Sequence, residues 1–131
     1  MAGDFNSAVI DASFILTFLL PDEDIPEVNK TIWLYRRKAL DLISCYLFPF
    51  EVFNCLRTAI FRKRISGRLA SDLGNTFLKL DIKCEVINFE EALKIAEKAN
   101  LSFYDASYLW LARSKNLPLL TLDDRLRRLG S

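Results

Sequence analysis

The chain contains no histidine. That removes Ser-His-Asp and Cys-His nucleophile pairs, HExxH zinc sites and every imidazole base. Any catalysis must use carboxylates, hydroxyls, lysines or a bound metal. Four acids stand out by their setting. Asp11 closes the apolar run Ala8-Val9-Ile10, Glu51 follows Phe48-Pro49-Phe50, Asp105 opens the apolar segment DASYLWLA, and Asp123 follows Leu119-Leu120-Thr121-Leu122. Carboxylates brought together repel, so they either keep protons or hold a cation. An all-oxygen set suits Mg²⁺ or Mn²⁺, and magnesium typically keeps waters and takes phosphate oxygens as further ligands. The chemistry favoured is metal-assisted phosphodiester hydrolysis, in which the metal lowers the pKa of a bound water and offsets phosphate charge. Plainer roles stay open beside this one. Asp105 and Asp123 suit helix starts, and Glu51 suits the first turn of a helix. Asp11 is harder to explain that way, because an acid pointing inward from a strand end needs a partner. Asp124 reads as structural, through a Thr121-x-x-Asp124 capping box.

For the acids to meet, the elements must carry them to one edge. Ala8–Asp11 reads as a short buried strand, and Ala12 to Leu20 as a helix stopped by Pro21. Val28, Ile32, Tyr35 and Ala39 recur at helical spacing over Glu27 to Leu40. Ile43–Phe48 is a second strand, and Pro49 starts a helix to about Arg64, since proline is tolerated at the first helical position. Leu69, Leu73, Phe77 and Leu80 stripe the next helix, and Ile82–Ile87 is a third strand. Asn88 with Glu91 forms a capping box before a further helix. Ser102 or Phe103 opens a buried helix through Lys115, Pro118–Thr121 is a last strand, and a terminal helix starts near Asp123. Short apolar strands alternating with helices predict an α/β fold with a parallel sheet covered on both faces. All four acids then fall at strand C-terminal ends or helix N-terminal ends, the edge where such folds bind ligands. The strand order is not readable from this pattern. The triplet Asp-Ala-Ser occurs twice, at Asp11–Ser13 and Asp105–Ser107, and reads as two edge acids each followed by small residues.

With 131 residues, 51% hydrophobic and 27% charged, the chain suits one folded domain over 1–131, with residues 1–7 as a flexible lead. The net charge of +1 predicts no overall nucleic-acid or membrane-surface attraction, so such affinity needs a local patch. No apolar run approaches the roughly 20 residues that span a bilayer, and no signal peptide is recognised, so a cytoplasmic location is expected. Cys45, Cys55 and Cys84 are odd in number and lack CxxC spacing, which predicts free thiols.

The same residues resemble the motifs of PIN-domain ribonucleases, and among them the VapC-type toxins of toxin–antitoxin pairs. An apolar strand ending in Asp-x-Ser is VIDAS (Asp11, Ser13). A helical Glu with Asn three residues on is FPFEVFNCL (Glu51, Asn54). Tyr-Asp-Ala-x-Tyr-x-x-x-Ala is YDASYLWLA (Asp105), and Thr-x-Asp-x-x-Leu is TLDDRL (Thr121, Asp123, Leu126). No single motif is specific, but four in order across nearly the whole chain are strong together. The resemblance implies a three-layer α/β/α PIN-like fold with a short, mostly parallel sheet. It implies an Asp11-Glu51-Asp105-Asp123 centre that uses Mg²⁺ or Mn²⁺ to cut RNA, with Ser13 and Thr121 in support. It also implies a homodimer, neutralised by a small antitoxin whose tail enters the acidic groove. The RNA target, the number of metals and the role of the acidic loop Asp22-Glu23-Asp24 are not readable.

A site of four acids must still attract a polyanion. Arg57, Arg62, Lys63, Arg64 and Arg68 cluster in one stretch and Arg125, Arg127 and Arg128 in another; flanking the site, they could hold an RNA backbone. Cations at a helix C-terminus are also favoured for their own sake. Trp33, Tyr35, Arg36 and Arg37 suit base stacking or, as we prefer, dimer contacts, and Trp110 suits the core. Three other readings compete: a PIN-domain nuclease of RNA processing, a non-catalytic PIN-like binding module, and a phosphate-transfer domain with Asp11 as nucleophile. The last generally wants an aspartate where this chain has Ser13.

Overall fold

The computed structural model describes residues 6–130. The expected lead at Met1 to Phe5 lies outside them, whereas Ser7 already pairs in the sheet, opposite Asp41. Eleven elements are described, in order: β1 (Ser7–Ile10), α1 (Ala12–Leu19), α2 (Pro26–Arg36), β2 (Asp41–Cys45), α3 (Leu47–Phe61), α4 (Gly67–Leu80), β3 (Lys83–Glu85), α5 (Phe89–Ala99), α6 (Phe103–Lys115), β4 (Leu119–Leu120) and α7 (Asp124–Gly130). The strands form one sheet in the order β3-β2-β1-β4, and every described pairing is parallel. Helices α1 to α4 pack among themselves, α5 to α7 form a second group, and α6 lies against β1 and β2. The result is the expected three-layer α/β/α arrangement. Ala8, Val9, Ile10 and Leu42 are wholly buried, as parallel strands covered on both faces require.

From β1 the chain proceeds to β2 and β3 on one side, then returns to place β4 on the other. The crevice beyond the C-terminal ends of β1 and β4 is therefore the topological switch point, the usual ligand position in such sheets. Side-chain caps set the helix starts around it. Asp11 caps α1, Ser66 caps α4, Asn88 caps α5 and Ser102 caps α6.

Several element ends differ from the sequence reading by a few residues, and two of these differences bear on the edge. Helix α3 begins at Leu47, so Ile43–Phe48 is not all strand and Pro49 is the third helical residue. First-turn amides have no intrahelical acceptor, so proline fits there as well as at the first position. Glu51 consequently lies in the second turn, and the first turn of α3 holds no acid, which weakens the expected help from the helix dipole. At the last helix, Asp123 rather than Thr121 acts as the cap: its Oδ1 accepts from the Leu126 amide at 2.8 Å. Among the described residues, no helix is long and apolar enough to cross a membrane, and all three cysteines are free thiols.

Candidate active site

Asp11 is the most deeply set of the four acids, only 5% exposed. Its Oδ1 accepts from the Ser13 hydroxyl at 2.7 Å and from the Phe14 amide at 3.1 Å. The Ser44 hydroxyl holds the preceding carbonyl, of Ile10, at 2.6 Å. Ser13 Oγ also accepts from the Leu122 amide at 3.0 Å and lies 3.3 Å from Thr121 Oγ1. Thr121 Oγ1 in turn accepts from the Asp123 amide at 3.1 Å. A continuous run of hydrogen bonds thus crosses the β1–β4 crevice from Asp11 to Asp123. Arg127 braces it from behind, donating to the Thr121 carbonyl at 3.0 Å.

Asp105 lies in the first turn of α6, where its amide donates to Ser102 Oγ at 3.1 Å. Burial raises the pKa of Asp105, and the charge of Asp123 raises it further, against the Ser102 hydrogen bond. Asp11 is raised for the same first reason, burial, with Asp105 adding to it; the hydroxyls of Thr121 and Ser13 and the Phe14 amide oppose the shift. Asp11 and Asp105 therefore sense each other, as do Asp105 and Asp123, and burial opposes the ionisation of Asp11 and Asp105. This is the environment in which a cation is favoured.

Glu51 joins the group differently. Its Oε1 accepts from the Tyr108 hydroxyl at 2.7 Å. Tyr108 is 1% exposed, and burial followed by the Glu51 carboxylate raises its pKa. Asp11 also acts on Tyr108 through its charge, and both acids favour the neutral phenol that donates to Glu51. Cys45, pushed up to about 11 chiefly by burial, also feels Glu51. Asn54 is exposed, one turn beyond Glu51 on α3. Among the described residues, no three acidic, histidine or cysteine side chains are gathered closely enough to form a closed ligand set. The donors are nonetheless hard oxygens, and magnesium is usually held through one or two carboxylates plus waters. An open arrangement fits that ion better than it would fit zinc.

The basic residues divide. Arg64 donates to both carboxylate oxygens of Asp22 at 2.8 Å and reaches Glu23 at 3.2 Å. This explains the acidic loop: it ties the α1–α2 connection to the α3–α4 corner. Arg125 is engaged at the end of α5, donating to the Asn100 carbonyl at 3.0 Å and to the Ala99 carbonyl. Arg57 lies over Phe61, its guanidinium carbon 5.7 Å from the ring centre. Arg62 ends α3, and Lys63, in the left-handed region at φ 58°, turns the chain beside it. Tyr35 is spent within the fold, its hydroxyl donating to the Leu80 carbonyl at 2.7 Å. Trp110 is half-buried and donates to Glu91 at 2.8 Å, so that glutamate serves the indole while Asn88 caps α5.

Sequence reasoning missed Tyr108 and Ser44. Tyr108 had a usable signal: three residues after Asp105 in a helix, it lies on the same side as that acid. Ser44 had none, because its role depends on which strand lies beside β1.

Comparison with known proteins agrees with this fold. Residues 8–131 match the family model described as PIN domain. Ribonuclease VapC3 of Pyrobaculum aerophilum is 28% identical over 122 residues, 90% of this chain and 90% of that one. Exonuclease VapC9 of the same organism is 31% identical over 94 residues, 72% of this chain and 69% of that one. The crystal structure of PAE2754 from Pyrobaculum aerophilum matches with a TM-score of 0.77 at 25% identity, covering 95% of this chain and 80% of that one. The chain belongs to the PIN-domain family, among its VapC-type members.

Proposed function

We propose that this protein is a divalent-cation-dependent endoribonuclease and the toxin of a toxin–antitoxin pair. Its coarser part, a nuclease hydrolysing phosphodiester bonds, follows from family membership and from the names of the relatives. The observation that carries the finer part is pairwise: Asp11 feels the charge of Asp105, and Asp105 that of Asp123, at the C-terminal edge of the sheet. Asp11 and Asp105 are held where burial and neighbouring charge resist their ionisation, and the carboxylates themselves are hard oxygen donors. Asp11, Asp105, Asp123 and Glu51 would hold Mg²⁺ or Mn²⁺, which supplies polarisation of water and offsets phosphate charge. Ser13 and Thr121 keep Asp11 and Asp123 in register, and Tyr108 orients Glu51. Arg57, Arg62 and Lys63 remain the best candidates for the RNA backbone, since Arg64 and Arg125 already have partners at the surface. A small antitoxin and a homodimer belong to the same reading.

The test is cleavage of RNA with Mg²⁺ or Mn²⁺ and its arrest by EDTA. Asp11→Asn and Asp105→Asn should abolish cleavage while leaving the fold intact; cleavage that survives in both variants sinks the site. One relative is named an exonuclease, which favours a second reading, digestion from an end. A circular RNA separates the two, because only an endonuclease opens it.

A further inference from the structure

Beside the acids lies a recess that the proposed reaction does not use. It is lined by the end of β2 and the start of α3 (Cys45, Tyr46), by the β3–α5 connection (Val86, Phe89) and by the start of α6 (Phe103, Tyr104), with a volume of about 370 Å³. Its rim is aromatic and open: Tyr46 is 60% exposed, Tyr104 57% and Phe89 69%. Phe89 meets Phe103 edge to face, ring centres 5.6 Å apart, so one wall is a braced pair of rings. Its one acidic side chain, Glu85, is paired with Lys115 at 2.8 Å. The recess therefore has flat apolar faces and no cation for a phosphate. Four of the exposed large apolar side chains (Tyr46, Val86, Phe89 and Tyr104) gather at this single feature.

Its position decides the occupant. Tyr104 precedes Asp105 directly, and Cys45 in the lining is near enough to Glu51 to feel its charge. The recess, at the ends of β2 and β3 and the start of α6, and the acids thus share the C-terminal edge of the sheet, along which a strand bound at the acids would run. We infer that the recess is a nucleobase subsite, in which Tyr104 and Tyr46 stack a base of the strand whose phosphate lies at Asp11 and Asp105. Every base has a π-face, so such stacking tolerates sequence while fixing the position of the strand. The inference rests on the proposed ribonuclease activity and deepens it.

The experiment compares two ligands of equal length: a fluorescent single-stranded oligoribonucleotide and an abasic strand with the same phosphates and no bases. Both are titrated against the Asp11→Asn protein, so that nothing is cut. The RNA should bind more tightly. Adding Tyr104→Ala or Tyr46→Ala should shrink that preference about tenfold, leaving affinity for the abasic strand unchanged. Tyr104→Phe keeps the ring and should restore the preference, which excludes general damage as the cause. If neither alanine variant alters the preference while RNA still binds, the subsite is overturned and the nuclease reading stands. If RNA fails to bind at all, both fall. If the alanine variants change the mass of the assembly in solution instead, the recess is a protein interface and the inference is overturned.

Discussion

Asp11-Ala12-Ser13 and Asp105-Ala106-Ser107 are the same tripeptide facing the same edge of the sheet, yet their serines do different things. Ser13 bonds its own aspartate at 2.7 Å and links onward to Leu122 and Thr121. Ser107 turns back to the Phe103 carbonyl at 2.8 Å and leaves Asp105 alone. The difference is one of phase. Asp11 is the cap of α1, so its extended backbone lets its side chain meet groups at the helix start. Asp105 is already the third residue of α6, with Ser102 as the cap, so its carboxylate projects from the helix and Ser107 satisfies its hydroxyl within the turn. Three letters specify little until the helix start is known. One acid is wired into the crevice and the other is presented to it.

The comparison breaks if the two acids are not partners in one reaction. Asp11→Asn and Asp105→Asn should each lower the cleavage rate about a thousandfold or more, in keeping with the several kcal/mol that a bound cation contributes. Initial rates on a labelled RNA check this, and a variant that keeps a tenth of the activity removes its acid from the site.

The serines sharpen the contrast. Ser13→Ala takes a hydroxyl from Asp11 and leaves the part-buried Leu122 amide without its acceptor, so it should cost about 1–3 kcal/mol, a fall in Tm of about 4 °C per kcal/mol at this chain length. Activity should fall about ten- to a hundredfold, the usual effect of losing a supporting hydrogen bond at a metal site. Ser107→Ala removes the hydroxyl together with its need for a partner and loses only a bond back to a carbonyl of its own helix, so although buried it should cost no more than about 1 kcal/mol with activity intact. Thermal melts and rates of the two variants side by side decide it; equal effects would mean that phase is not what separates the triplets.

Tyr108→Phe probes the arm of the site attached to α6 beyond the second triplet. It removes the 2.7 Å bond to Glu51 and keeps the buried ring. Activity should drop about tenfold, with stability lowered by about 1 kcal/mol because Glu51 can turn to water. A tenfold higher Mg²⁺ requirement in the variant would identify orientation of Glu51 as the cause.

The layered fold was legible because buried parallel strands leave near-continuous apolar runs such as Ala8-Val9-Ile10, and because Asn88 and Ser102 mark helix starts by their own chemistry. The acids were legible as an edge feature for a related reason: each sits at one end of an apolar run. Three things were not. Pro49 suits the first or the third helical position equally, so the turn that carries Glu51 was ambiguous. Thr121 and Asp123 can both cap, and the choice depends on Ser13, more than a hundred residues away in the chain. The aromatic recess was invisible because Phe103 and Tyr104 look like core residues until their exposure is known.

The smallest expected effect comes from protons, and it tests whether burial is what sets Asp11 apart. Its pKa is raised in the fold above the ordinary 3.8. Between 3.8 and the folded value, the folded chain binds more protons than the unfolded one, so stability falls as pH rises through that window. Without a divalent cation the ionised Asp11 therefore costs stability near pH 7, and the cost disappears below about pH 4. Asp22 does not interfere. Its pKa is lowered by Arg64, so its contribution is present above 3.8 and is lost only below it. In EDTA, Asp11→Asn should melt above the unsubstituted protein at pH 7, and the gap should close as the pH approaches 4. Saturating Mg²⁺ should close it from the other side, by stabilising the protein that still has its carboxylate. A gap that stays constant with pH, or an Asp11→Asn protein that melts lower at pH 7, would mean that the hydrogen bonds of Ser13, Thr121 and Phe14 outweigh burial at this carboxylate.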